Sequence, residues 1–155
     1  MNSEPLKEEQ TMAEKRTGGC LCGGVRYEVV GDPIVSGACY CRDCQYVSGG
    51  EAALGEVYPE PAVTVVLGEM ATFSSVALSG NTVFREFCPV CGVHLLSHNS
   101  AAPQLRSIKV GTLDDPTEFS NQGSLFVASA QPWHNPEPDL PQHQTMPCLA
   151  DFDRE

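Results

Sequence analysis

Seven cysteines of this chain fall into three short runs: "CLC" (Cys20, Cys22), "CYCRDC" (Cys39, Cys41, Cys44) and "CPVC" (Cys88, Cys91). An eighth, Cys148, stands alone in a proline-rich tail. Thiols this close in sequence do not easily bridge one another, but they converge well on a metal. Thiolates are soft ligands, so zinc is the expected ion. A closed structural zinc takes four ligands, whereas a zinc with three protein ligands keeps one position for water or substrate. Seven divides as four plus three, which predicts two zinc ions per chain, one closed and one open.

Spacing alone does not say which run completes the four. Residues two apart on a strand share a face, so Cys20 with Cys22, and Cys39 with Cys41, are each expected to grip one ion. "CPVCG" reads as a turn that folds two thiolates around one ion, its glycine relieving the bend. One partition places Cys41, Cys44, Cys88 and Cys91 in a single zinc ribbon. Another joins Cys20 and Cys22 to Cys88 and Cys91 and leaves the middle three by themselves.

The elements that must position these thiols read as strands. In "GGVRYEVVGDP", Val25, Tyr27 and Val29 alternate with Arg26, Glu28 and Val30, the period of a half-buried strand. "IVSGACYC", "AVTVVLGEM", "ATFSSVAL", "NTVFREFC", "SIKVGTLDDP" and "SLFVASAQPW" read likewise, with Val83 and Phe87 as candidate inward residues. "CPVCGVHLLSH" is a knuckle turn running into a strand, and "RDCQYVSGGEAAL" a loop or one helical turn. No long amphipathic helix and no repeat beyond the cysteine runs is visible. The chain is expected to be mainly β. Residues 1–17 are expected to be a disordered tail, 18–134 the zinc domain, and 135–155, with four prolines, an extension that wraps the surface or frays.

Composition narrows the function. A chain of 155 residues suits one domain with a real core. Its formal net charge is -11, which argues against binding nucleic acid, a task that needs a basic face. No run approaches the ~20 apolar residues of a membrane span, and the start lacks the apolar core of a secretory signal. The expected location is the cytoplasm, with no membrane partner.

The ordered set C-x-C, C-x-C-x-x-C and C-x-x-C-G, followed by "GTLDDP" and "PW", resembles the glutathione-dependent formaldehyde-activating family, which also includes centromere protein V domains. The likeness covers about residues 18–134. It implies a β-tent fold of small antiparallel sheets organised by zinc-cysteine clusters. It also implies that Cys20, Cys22, Cys88 and Cys91 hold a structural zinc and that Cys39, Cys41 and Cys44 hold the catalytic one. The implied activity is that of a carbon-sulfur lyase forming S-(hydroxymethyl)glutathione from glutathione and formaldehyde, so the expected partner is a small-molecule thiol or thiol-aldehyde adduct. Many members carry basic residues just after the third middle cysteine. Here Gln45 and Tyr46 stand there, with Arg42 and Asp43 inside the run, beside the open site where a substrate carboxylate could be held.

Two other readings stand beside the enzyme. One is a zinc-stabilised interaction module, its middle cluster closed by Cys148 or a histidine. The other is a redox protein using Cys39 or Cys148. His94 and His98 are either ligands or packing residues, and Trp133 either stacks on a substrate or anchors a lid. Arg85, Arg106 and Lys109 are either docking points for an anion or surface ion pairs. "GTLDDP" makes a turn without needing a ligand. Ser48, Gly49 and Gly50 either present N–H groups to an anion or simply turn the chain.

Overall fold

Alternation along "RYEVV" does what its pattern predicts. In the computed structural model, which describes residues 13–147, Tyr27 and Val29 point inward from β2 (Arg26–Val30) and are almost fully buried. This strand is the centre of a three-stranded antiparallel sheet, with β1 (Lys15–Gly19) on one side and β5 (Val63–Leu67) on the other. β1 begins at Lys15, inside the stretch expected to be a disordered tail. Pairing along its whole length with β2 overrides the polar composition there. Gly18 is needed at that seam, because a Cβ would sit 2.4 Å from the Tyr27 hydroxyl oxygen and 2.5 Å from the Thr112 carbonyl. Residues 1–12 and 148–155, Cys148 among them, lie outside the described residues.

The larger sheet has seven strands in the order β10-β3-β4-β9-β8-β7-β6. They are β3 (Val35–Cys39), β4 (Ala53–Pro59), β6 (Ala71–Val76), β7 (Thr82–Phe87), β8 (His94–Asn99), β9 (Ala102–Lys109) and β10 (Ser124–Leu125). All neighbours run antiparallel except β10 on β3. The protein is therefore mainly β, with antiparallel sheets, and its one α-helix among the described residues is α1 (Arg42–Val47). One face of the large sheet packs Tyr58, Leu96 and Ile108 against Tyr27 and Val29 of the small one. Burying such side chains stabilises by roughly 1.5–3 kcal/mol each.

A buried ion pair crosses the same interface. The Arg16 guanidinium of β1 bonds the Glu56 carboxylate of β4, and the Tyr58 hydroxyl donates to Glu56 Oε2 at 2.7 Å. Glu56 is only 2% exposed. The pairing explains how a carboxylate can sit in a strand interior. On β7 the most buried residue is Arg85, on the sheet face opposite Leu96 and Ile108. Val83 and Phe87, the expected inward residues, are half-buried.

Residues 141–143 run beside β10. Ser124 N–H donates to the Pro141 carbonyl at 2.9 Å and His143 N–H to the Ser124 carbonyl at 2.8 Å, so this stretch lies along the free side of β10. No helix among the described residues is long and apolar enough to cross a membrane.

Candidate metal centres

Cys20 and Cys22 are gathered by a turn, not by strand alternation as the sequence suggests. Cys20 N–H donates to the Val25 carbonyl at 3.0 Å, and Gly23, at φ 77°, donates back to the Cys20 carbonyl at 3.0 Å. The turn between β7 and β8 repeats this design. Cys88 N–H donates to the Val93 carbonyl at 3.0 Å, and Gly92, at φ 74°, to the Cys88 carbonyl at 2.9 Å. Left-handed φ is what makes glycine necessary at both places. The two turns bring the sulfurs of Cys20, Cys22, Cys88 and Cys91 all within 4.8 Å of one another. Cys20 and Cys22 sulfurs are 3.5 Å apart, Cys22 and Cys88 sulfurs 3.7 Å.

The middle run forms a second, separate group. Cys39 ends β3, Cys41 caps the N-terminus of α1, and Cys44 lies in its first turn. Their sulfurs too are all within 4.8 Å of one another. The structure thus assembles the four-plus-three partition and not the single ribbon of Cys41, Cys44, Cys88 and Cys91. Cys39 and Cys41 stand two apart where β3 runs into α1, Tyr40 N–H donating to the Leu125 carbonyl at 2.9 Å and Cys41 keeping an extended backbone. Among the described residues no histidine joins either group.

Both groups fit zinc by donor type and spacing. A Zn–S bond near 2.3 Å in a tetrahedron sets sulfurs about 3.8 Å apart. Without a cation the crowding shows in the proton affinities. Cys41 is held far below the ordinary thiol range by bonds from the Cys39 and Cys44 thiols, helped by the Cys44 N–H at 3.4 Å. Cys39 is pushed strongly up by its bonds to Cys41 and Cys44 and then by burial. Cys44 is drawn down by its bond from Cys39 but pushed up by Cys41 and by burial, to about 11. A bound metal cation would favour the thiolate form of all three.

Strand register shows which cations serve the three-sulfur group. Lys109 pairs with Gly55, which pairs with Gly37, two residues before Cys39 on the same sheet face. Its charge lowers the proton affinity of Cys44. It is half-buried, and no ion pair among the described residues includes it. Arg85 reaches the helix from β7. It donates to Asp43 Oδ2 at 3.0 Å and to Ser75 Oγ at 2.8 Å, and it helps hold down Cys41. Arg106, by contrast, faces Glu60 at 4.0 Å on the other side of the sheet.

Other candidates resolve into structural roles. Gln45 is fully buried and donates to the carbonyls of Tyr40 and Ser129 at 2.7 and 2.9 Å, so it braces α1. Tyr46 is exposed beneath the Arg42 guanidinium, 5.1 Å from its ring centre. Ser48 and Gly50 both donate their N–H groups to the Gln45 carbonyl, which leaves them closed to an anion. Trp133 anchors that turn by donating to the Gly50 carbonyl at 3.2 Å. Beside it His134, which the sequence did not single out, donates to the same carbonyl at 2.7 Å. His94 donates Nε2–H to the Leu96 carbonyl at 2.9 Å and is driven down to about 4 by burial and then by Lys109. His98 stacks on Phe84 at 4.6 Å, on the core-facing side. Asp114 of "GTLDDP" bonds Arg26 and Thr17, and Asp115 turns onto Thr117, so the motif ties strands together.

No curated protein sequence matches the chain. A crystal structure of a Rhodobacter sphaeroides protein aligns with a TM-score of 0.52 at 20% identity, over 63% of this chain and 87% of that one. At that identity it speaks for the fold alone. The sequence profile of the family described as "Glutathione-dependent formaldehyde-activating enzyme" matches residues 15–129, which include both sulfur groups. The chain belongs to the glutathione-dependent formaldehyde-activating enzyme family.

Proposed function

We propose that this protein is a zinc-dependent enzyme of the carbon-sulfur lyase type, acting on thiol-aldehyde adducts. Its reaction is S-(hydroxymethyl)glutathione synthase-like, joining glutathione or a related small thiol to formaldehyde, or splitting the adduct. Cys39, Cys41 and Cys44 serve catalysis, and Cys20, Cys22, Cys88 and Cys91 serve structure. The observation that carries this reading is the three-sulfur group itself, half-buried and short of a fourth ligand among the described residues, with the unpaired Lys109 beside it.

A zinc ion held by those three sulfurs would keep a substrate thiol deprotonated near neutral pH and polarise a carbonyl oxygen. The chain's own residues do the positioning. The end of β3 and the cap of α1 fix the three sulfurs. Arg85 locks α1 to β7 through Asp43. Lys109 offers its ammonium to a carboxylate of the thiol substrate, an attraction of use in a chain of net charge -11. The proton lost by the thiol ends on the aldehyde oxygen as the S–C bond forms, so no oxidant or reductant is needed.

The test is exchange NMR of glutathione with formaldehyde at equilibrium, with zinc-loaded protein added. Hydroxymethyl exchange should run at least about tenfold faster than in buffer, and folded Cys44→Ser protein should not accelerate it. A zinc-replete wild type with no acceleration overturns the proposal.

A further inference from the structure

Two open sheets have four edges, and an unpaired edge is a template for another strand. Three of the four are blunted. β1 carries Lys15 and Arg16, and its outer side is met by Leu113 and Asp114. β10 is two residues long and is covered by Gln142. β5 bulges at Val66, where β2 slips register between Arg26 and Tyr27. Among the described residues β6 has none of these devices. It pairs with β7 in unbroken register from Ala71 to Val76, and no residue from Met70 through Phe84 is charged.

Backbone parity shows what β6 offers. Ala77 N–H donates to the Asn81 carbonyl, so residues 71, 73 and 75 turn their backbone groups toward β7. Thr72, Ser74 and Val76 therefore aim both N–H and C=O outward, and all three are exposed. Phe73, on the sheet face that carries Arg85, is 59% exposed and Val76 71%.

We propose that this edge is the contact between two copies of the chain, β6 pairing antiparallel with β6 about a two-fold axis at Ser74. In that register Ser74 faces its own copy and Thr72 faces Val76, so every outward N–H and C=O of one strand meets a partner. Phe73 lies diagonally across from its copy, about 7–8 Å away and within reach of an aromatic ring. Charge selects the same place. Two chains of net charge -11 repel one another, and β6 is the open edge where the approach brings no charge together. A two-fold pairing also closes on itself and ends with two chains.

The test uses the full zinc-replete chain. Analytical ultracentrifugation should give twice 16.7 kDa at tens of micromolar, dissociating on dilution. The amides of Thr72, Ser74 and Val76 should exchange hydrogen at least about tenfold more slowly in the concentrated sample than in the dilute one. Ser74→Lys, which sets two like charges face to face, and Ser74→Pro, which removes one outward N–H, should each yield monomer. Val66→Lys on β5 should leave the dimer intact. A wild type that is monomeric at these concentrations overturns the proposal. So does a dimer whose three amides show no concentration-dependent protection, whether or not the Ser74 variants fold.

Discussion

The two sulfur groups share one kind of ligand and differ in how the fold assembles them. The four-sulfur group draws on turns 66 residues apart, Cys22 meeting Cys88, and two of its members, Cys20 and Cys88, belong to the hydrophobic core. It joins the end of β1 to the β7–β8 turn, and so one sheet to the other. The three-sulfur group comes from residues 39–44 alone, closes no long loop, and lies on the sheet face away from Glu56 and Ile108. A metal that closes a long loop contributes to folding, because the unfolded chain must give up that freedom. A metal held within six residues would contribute little to the fold, as the proposed catalytic role requires.

The largest expected effect follows from that contrast. Cys88→Ser should leave the chain unfolded or insoluble, because a closed thiolate zinc contributes on the order of ten kcal/mol, as much as the whole stability of many domains. Cys44→Ser should keep the circular dichroism of the wild type, lose one equivalent of zinc and lose activity. Zinc content and thermal unfolding of the two variants decide the matter. If Cys44→Ser unfolds and Cys88→Ser does not, the roles are reversed.

A second tie between the sheets contains no sulfur, and it measures how much of the first is the metal's own. Arg16→Ala strips the cation from Glu56 and leaves it only the Tyr58 hydroxyl, and breaking a buried pair in this way costs about 3–5 kcal/mol. Arg16 keeps some exposure, so the lower end is expected. Urea unfolding of the zinc-loaded variant should show that loss with both zinc equivalents retained. Loss of zinc together with stability would mean that the two ties are one cooperative unit.

Much of this was legible in the sequence, for reasons that also explain the gaps. The strands with clean alternation, such as "RYEVV", could be read because one face is apolar and the other is not. β4, "ALGEVYP", could not: its inward positions include Glu56, neutralised by an arginine 40 residues away, and Gly55 breaks the pattern. "SLFVASAQPW" reads as a full strand yet pairs for two residues only, because Phe126 takes φ 55° and turns the chain into a short 3-10 helix. The cysteine runs announce a metal, but their partition needs the fold, and the sequence offered it only through family resemblance. Lys109 and Arg85 reach the middle group by cross-strand register, which no local spacing records. His134 was invisible because its partner, Gly50, lies 84 residues back in the chain.

The smallest expected effect belongs to a tie beside the four-sulfur turn. Asp114, which follows β9 of the large sheet, bonds Arg26 of β2 at 2.9 Å and Thr17 of β1 at 2.5 Å. These bonds hold its carboxyl down to about 2, Arg26 first and Thr17 second, from an ordinary 3.8. A depressed carboxylate stabilises the fold above its unfolded value and loses that contribution as pH falls through its folded one. The window here is therefore about pH 4 down to about 2. Asp114 is half-exposed, so solvent screens the pair and its worth is about 0.5 kcal/mol. Asp114→Asn should cost that much at pH 7, and the gap from wild type should stay constant down to pH 5. Acid also threatens the zinc thiolates, but it does so in both proteins, and the difference between them cancels that loss. A gap that closes between pH 7 and 5 would show that Asp114 acts through the neighbouring sulfur group and not through Arg26.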